Sequence, residues 1–200
     1  MTRKLLFIPI AVFALLIGLY PLMYAFVEKE YTFLNSKFPE LLSDYFWMTF
    51  FYLHIVFGGL SLFIGWIQFL PKIRIQRPKI HRTVGKVYIL SVFFSSISAI
   101  YLGFFANEGI ISSVGFISLG IVWLASTLLA FYEIKRWRIN EHQKWMIISY
   151  AACFSAVTLR IYMPILNNFL EPGTTYKTVA WLCWVPNIIV AYVITKRLKL

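Results

Sequence analysis

The chain is poor in the residues that most soluble enzymes use. Two cysteines, Cys153 and Cys183, fall inside apolar runs and suggest neither a disulfide framework nor a cysteine-based metal motif. Acids are scarce, eight against nineteen lysines and arginines, and histidines number three. No phosphate loop, nucleophile motif or carboxylate pair is present, so a hydrolase has no support. There is also no internal repeat, low-complexity tract or linker, and no stretch left over for a soluble domain.

What is present is apolar length. The mean hydropathy is +0.74 over 200 residues, with 60% hydrophobic side chains. That predicts an integral membrane protein with room for about six spans. They are expected at about 5–27, 44–70, 83–106, 110–133, 142–166 and 177–195, interrupted by Pro9 and Pro21 in the first, with Pro164 near the end of the fifth and a kink at Pro186 in the last. The first run is too long for a cleaved leader and lacks a small-residue cleavage site, so it reads as a retained span. The net charge of +11 is read as topology signals and contact with anionic lipid rather than as a nucleic-acid interface.

The charges predict an orientation. Arg3 and Lys4 precede the first span. Lys72, Arg74, Arg77, Lys79, Arg82 and Lys86 surround the second loop. Lys135, Arg136, Arg138 and Lys144 surround the fourth, and Lys196, Arg197 and Lys199 follow the last span. The other side has Lys29, Lys37 and Lys177, with six of the eight acids: Glu28, Glu30, Glu40, Asp44, Glu108 and Glu171. The positive-inside rule then puts both termini in the cytoplasm of a cell-membrane protein. The fold expected is an all-α antiparallel bundle, with spans two to five as its core and spans one and six peripheral.

The most polar segment, from Arg77 to Tyr88, is expected to wall a site. Pro78 closes a loop, Thr83 or His81 can cap the helix that follows, and Gly85 allows close packing. Span two carries a stripe of small and polar residues: His54, Gly58, Ser61, Gly65 and Gln68. Span three carries His81, Gly85, Tyr88, Val92, Ser95 and Ala99. Span five carries His142, Ser149, Cys153, Ala156 and Arg160, its ends about 27 Å apart. A weaker row on span four runs Gly115, Val122, Ser126 and Glu133. Spans one and six show no comparable stripe. Small residues in such rows serve close helix packing, which leaves the histidines and the arginine to be explained.

Depth sorts these polar residues into two levels. His81 and His142 start helices at the cytoplasmic side, near Arg82, Lys86, Lys144 and Gln68. His54 and Arg160 stand about 24 Å higher, with Tyr101, Tyr162 and Asn167 at similar height. Two histidines at one depth on different helices suit axial ligation of a b-type haem, with His81 and His142 as metal ligands and the nearby cations as propionate partners. His54 and Arg160 suit quinone carbonyls or a lipid head group. The plain alternatives are a neutral core histidine bonded to a backbone carbonyl and an arginine reaching for the interface.

The order His54, Gly58, Gly65, Gln68, then His81-Arg82, Gly85, Tyr88, then His142, Trp145-Met146, then Thr158-Leu159-Arg160 and Pro164 resembles a bacterial membrane family, domain of unknown function 2306. The resemblance covers about 50–164. Lys86 and Ile148 stand where that family often has arginine, so a basic side chain is kept at the first and not at the second. The resemblance implies a multi-pass protein and supports the site residues, without implying a reaction.

Three functions follow. The first is a small electron carrier, a component of a membrane oxidoreductase, with haem at one level and quinone at the other. The second is a non-catalytic binding or assembly protein for a lipid, a cofactor or a respiratory complex. The third is a transporter, against which stand the lack of an inverted repeat and of a broken helix in the core. Membrane lipids are the expected partners, with a redox partner or a second copy of the chain as further ones, and no nucleic acid.

Overall fold

The structure is a computed structural model that describes residues 2–28 and 31–197. Lys29, Glu30 and Lys199 lie outside the described residues, as do the side chains of Arg3 and Lys4. The described residues are helical throughout, with no strand. Six helical segments are long and apolar enough to cross a membrane: Ile8–Phe26, Tyr45–Phe69, Pro78–Gly103, Ile110–Lys135, Ile139–Leu166 and Pro172–Arg197. A spanning backbone must satisfy its own polar groups, and in a helix every bond is local. The chain divides into two compact units, 1–102 and 103–200.

Proline positions many helix starts. Pro39, Pro71, Pro78 and Pro172 each open a helix, where a missing N–H costs nothing and the fixed φ is already helical. This corrects two expectations. Span three begins at Pro78, not Thr83, and the His81 amide bonds to the Arg77 carbonyl at 3.1 Å. His81 and Thr83 therefore lie inside the helix and cap nothing. Span six likewise begins at Pro172. The loop before span three also contains a short helix, Pro71–Gln76.

In the first unit, span one runs through Pro9 and is interrupted after Gly18, where Pro21 sits in a 3-10 turn. Span two starts on Asp44, whose Oδ1 accepts from the Phe46 amide at 2.8 Å and the Trp47 amide at 3.4 Å. That carboxylate satisfies two orphan donors at the positive end of the helix. Spans one and two approach through glycine. A Cβ on Gly59 would lie 2.6 Å from Pro21 Cγ and 2.7 Å from the Gly18 carbonyl oxygen. Span two meets span three through Phe50 against Tyr101 and Phe57 against Phe94, at centroid distances of 4.5 and 5.2 Å. The inner face of span three is rich in serine. Ser91, Ser95, Ser96 and Ser98 are all at most 1% exposed, and Ser96 and Ser98 return their hydroxyls to Val92 and Phe94 carbonyls one turn back.

The second unit opens with a tight connection in which Glu108 and Gly109 take positive φ, 66° and 81°. The Glu108 carboxylate lies against Gly173 in the first turn of span six, and a Cβ there would be 2.7 Å from Oε2. The start of a helix favours a nearby anion, and Lys177 adds an ion pair at 3.7 Å. Spans four and five form the most extensive pair and are tied by Thr127 and Ser149, whose hydroxyls are 2.6 Å apart.

Spans five and six are both interrupted. Span five breaks at Phe154 between Ile139–Cys153 and Ser155–Leu166. Span six breaks at Cys183 and Trp184, just before Pro186. The expectation of no broken helix in the core is therefore overturned for span five. The breaks are bridged. Thr158 donates its hydroxyl to the Cys183 carbonyl, and Asn187 Nδ2 reaches that same carbonyl at 3.0 Å and Thr158 Oγ1 at 3.1 Å.

Nor is span six peripheral in its unit. Thr175, Val179, Ala180 and Cys183 are at most 1% exposed. A Cβ on Gly115 of span four would sit 2.8 Å from the Ala180 carbonyl oxygen, and Trp181 Nε1 donates to the Ile111 carbonyl at 3.1 Å. The row Thr175, Val179, Cys183, Asn187, Ala191, Thr195 recurs every four residues and supplies the face that the sequence did not reveal.

Candidate cofactor site

His54 is half-buried on span two. Its Nδ1 lies 3.1 Å from the Ser95 carbonyl oxygen and 3.1 Å from Ser95 Oγ. Ser95 Oγ in turn donates to the His54 carbonyl at 2.9 Å. A carbonyl can only accept, so the neutral ring donates through Nδ1 and carries its lone pair on Nε2. The residue facing Ser95 one turn further along span two is Gly58, where a Cβ would sit 2.9 Å from Ser95 Oγ. The stripe of span two thus packs on span three and does not face lipid there.

Further along the same stripe, Gln68 is 7% exposed and its Nε2 has no hydrogen-bond partner among the described residues. Its Oε1 stands 3.6 Å from where a Gly85 Cβ would be. Gly85 follows His81 by one helical turn, on the face that continues through Tyr88 and Val92, both 0% exposed. His81 is half-buried on that inner face. Arg82 and Lys86 are exposed and project from the other side of the helix with Lys79. A buried amide donor left unpaired costs about 1–3 kcal/mol, which sets Gln68 apart from the other polar residues of the stripe.

In the second unit, His142 is half-buried near the start of span five. Its Nδ1 lies 2.8 Å from the Ala130 carbonyl oxygen on span four. The same argument protonates Nδ1 and leaves the lone pair on Nε2. Lys144 is engaged by Glu141 at 2.6 Å, an (i, i+3) pair. Arg160 donates from Nη1 to the Ala156 carbonyl at 2.8 Å, within its own helix.

The chain belongs to the DUF2306 family. The family model, described as a predicted membrane protein, matches residues 51–195. No curated protein and no solved structure matches the chain. The match extends the resemblance past Pro164 to take in nearly all of span six, the helix that the sequence motifs left out and the second unit buries.

Each proposed ligand of this DUF2306 protein is thus placed within its own unit, His54, Gln68, His81, Arg82 and Lys86 in the first and His142, Lys144 and Arg160 in the second. Two of the three rings, His54 and His142, are held through Nδ1 against a main-chain carbonyl, an arrangement that metal-binding imidazoles also use. What the sequence does not give is the pairing. Ser95 stands in the row read on span three with nothing to link it to His54, the Ala130 carbonyl is main chain, and Asn187 lay in a span read as lipid-facing. Glu141, three residues before Lys144, was legible by spacing. A groove of about 570 Å³ between spans one and two, lined by Gly18, Pro21, Tyr24, Tyr52, Val56 and Phe63 among others, has no histidine in its wall.

Proposed function

We propose that this multi-pass membrane protein carries a b-type haem, which His142 would help to hold. The observation that supports the reading is the 2.8 Å contact of His142 Nδ1 with the Ala130 carbonyl, which fixes the tautomer a haem ligand needs. His81, half-buried near the start of span three in the first unit, is proposed separately as a metal-ligating histidine. Haem supplies reversible one-electron transfer when bound. The chain's own residues orient the imidazole, through the Ala130 carbonyl for His142. His54 in the first unit and Arg160 in the second are each proposed, separately, to meet a quinone carbonyl or a lipid head group. The basic loops support an orientation with both termini in the cytoplasm, which reporter fusions at Lys79 and Arg138 (inside) and at Glu108 and Glu171 (outside) test directly.

The experiment is the absorption spectrum of the full-length protein purified from haem-replete cells, oxidised and reduced. A Soret band that shifts on reduction, and is lost in His142→Ala, is the expected result. A wild-type protein with no Soret band rejects the reading. The second reading, a non-catalytic binding or assembly protein, is favoured by a specific observation: the His54 and His142 Nδ1 bonds already tie neighbouring helices together without any ligand.

A further inference from the structure

The loop between spans two and three differs from the other basic loop in one respect. After span four, each cation is occupied. Lys135 lies over the Phe131 ring at 5.5 Å, Arg136 bonds Tyr132 Oη at 2.8 Å, Arg138 faces Glu133 at 3.6 Å and Lys144 pairs with Glu141 at 2.6 Å. After span two, Lys72, Arg74, Arg77, Lys79, Arg82 and Lys86 are all exposed, and among the described residues none of their side chains makes an ion pair, hydrogen bond or ring contact. The sequence offers them little choice, since no acid occurs between Asp44 and Glu108.

Apolar groups are exposed amid these charges. Ile75, on the short helix Pro71–Gln76, is 71% exposed, whereas Ile73 is half-buried. Ile80, in the first turn of span three, is 41% exposed. On span three, Lys79, Arg82 and Lys86 recur at helical spacing on the side away from His81, Gly85 and Tyr88. Cations flanking exposed isoleucines at the end of a membrane span match the layered chemistry of a lipid interface: phosphate outside, acyl chain beneath. A soluble anion would use the cations and leave the isoleucines in water.

We propose that Lys72–Lys86 is a binding surface for anionic phospholipid at the membrane face this loop occupies. Ile75 and Ile80 enter the acyl boundary, and the cations hold lipid phosphates. The proposal is independent of haem.

The test uses the full-length protein in mild detergent, titrated with dioleoyl phosphatidylglycerol or dioleoyl phosphatidylcholine, with bound lipid counted by native mass spectrometry on folded protein. Wild type is expected to retain the anionic lipid in preference to the zwitterionic one. K72Q/R74Q/R77Q should weaken that retention about a hundredfold, at roughly fivefold for each cation. K135Q/R136Q/R138Q removes the same charge from the other loop and should change it less than fivefold. If the triple variant does not fold, R74Q/R77Q is read instead, with about a twenty-five-fold loss expected. Ile75→Asn should weaken retention with no change in its salt dependence. Equal losses from the two loops, no preference in wild type, or competition by inorganic phosphate as effective as by lipid would each overturn the proposal.

Discussion

The close approach of spans one and two at Gly59 gives a graded test of the packing. In Gly59→Ala the new methyl would begin 2.6 Å from Pro21 Cγ and 2.7 Å from the Gly18 carbonyl oxygen. Ordinary contact needs about 3.5 Å or more. Neither neighbour is the free end of a flexible side chain, so the helices must separate. Overpacking of this kind costs about 1–3 kcal/mol, of which the better helix propensity of alanine returns at most about 1 kcal/mol. Gly58→Ala meets Ser95 Oγ at 2.9 Å, a hydroxyl that can rotate away at the loss of its bond to His54. An interhelical bond in a membrane is worth about 0.6 kcal/mol on average, so the propensity gain leaves this variant near neutral. Gly85→Ala has its nearest neighbour at 3.6 Å and should be neutral to slightly stabilising. The assay is the thermal midpoint of the purified protein in one detergent, read by circular dichroism. The expected order is Gly85→Ala highest, then wild type and Gly58→Ala, then Gly59→Ala. A Gly59→Ala midpoint equal to that of Gly85→Ala would refute the approach of spans one and two at this point.

Three further predictions follow from named contacts. His54→Ala and Ser95→Ala should each destabilise by roughly 0.6–1.7 kcal/mol in the same assay, and the double variant by less than the sum, because they share one bond network. Asn187→Leu should cost about 1–3 kcal/mol and exceed Thr158→Val, because Asn187 also reaches the Ala151 carbonyl at 3.4 Å; a neutral Asn187→Leu would show that the breaks do not need sealing. Lys37, outside the spans and 5.3 Å above the Phe33 ring, has its amine pushed down to about 8 by burial. A base with a lowered folded pKa penalises folding while it is charged. The penalty is therefore full below about pH 8 and fades as pH rises toward the ordinary lysine value of 10.5, so stability should rise across that window and Lys37→Met should abolish the slope.

Much of the molecule was open to reading along one dimension. The number, type and approximate limits of the spans follow from runs of apolar residues, because a helix in lipid satisfies its backbone within itself. The stripe on span two was also legible, since helical spacing puts His54, Gly58 and Gln68 on one face whatever that face meets. The starts at Pro78 and Pro172 were legible in principle from the preference of proline for the first helical position. The partners were not. His54 to Ser95 and His142 to Ala130 depend on the register between helices, and two of those bonds end on main-chain carbonyls that every residue possesses. The burial of span six depends on a row repeating every four residues that mixes Val179 and Cys183 with Thr175 and Asn187, a pattern that composition alone cannot distinguish from a lipid-facing surface. The paired breaks at Phe154 and Cys183 have no single marker in sequence either: Pro186 signals one, and the other is sealed by hydroxyl and amide groups brought from the neighbouring helix. Sequence determined which segments cross the membrane because that energy is local, and tertiary structure decided what each polar side chain does because hydrogen bonding there is settled by neighbours.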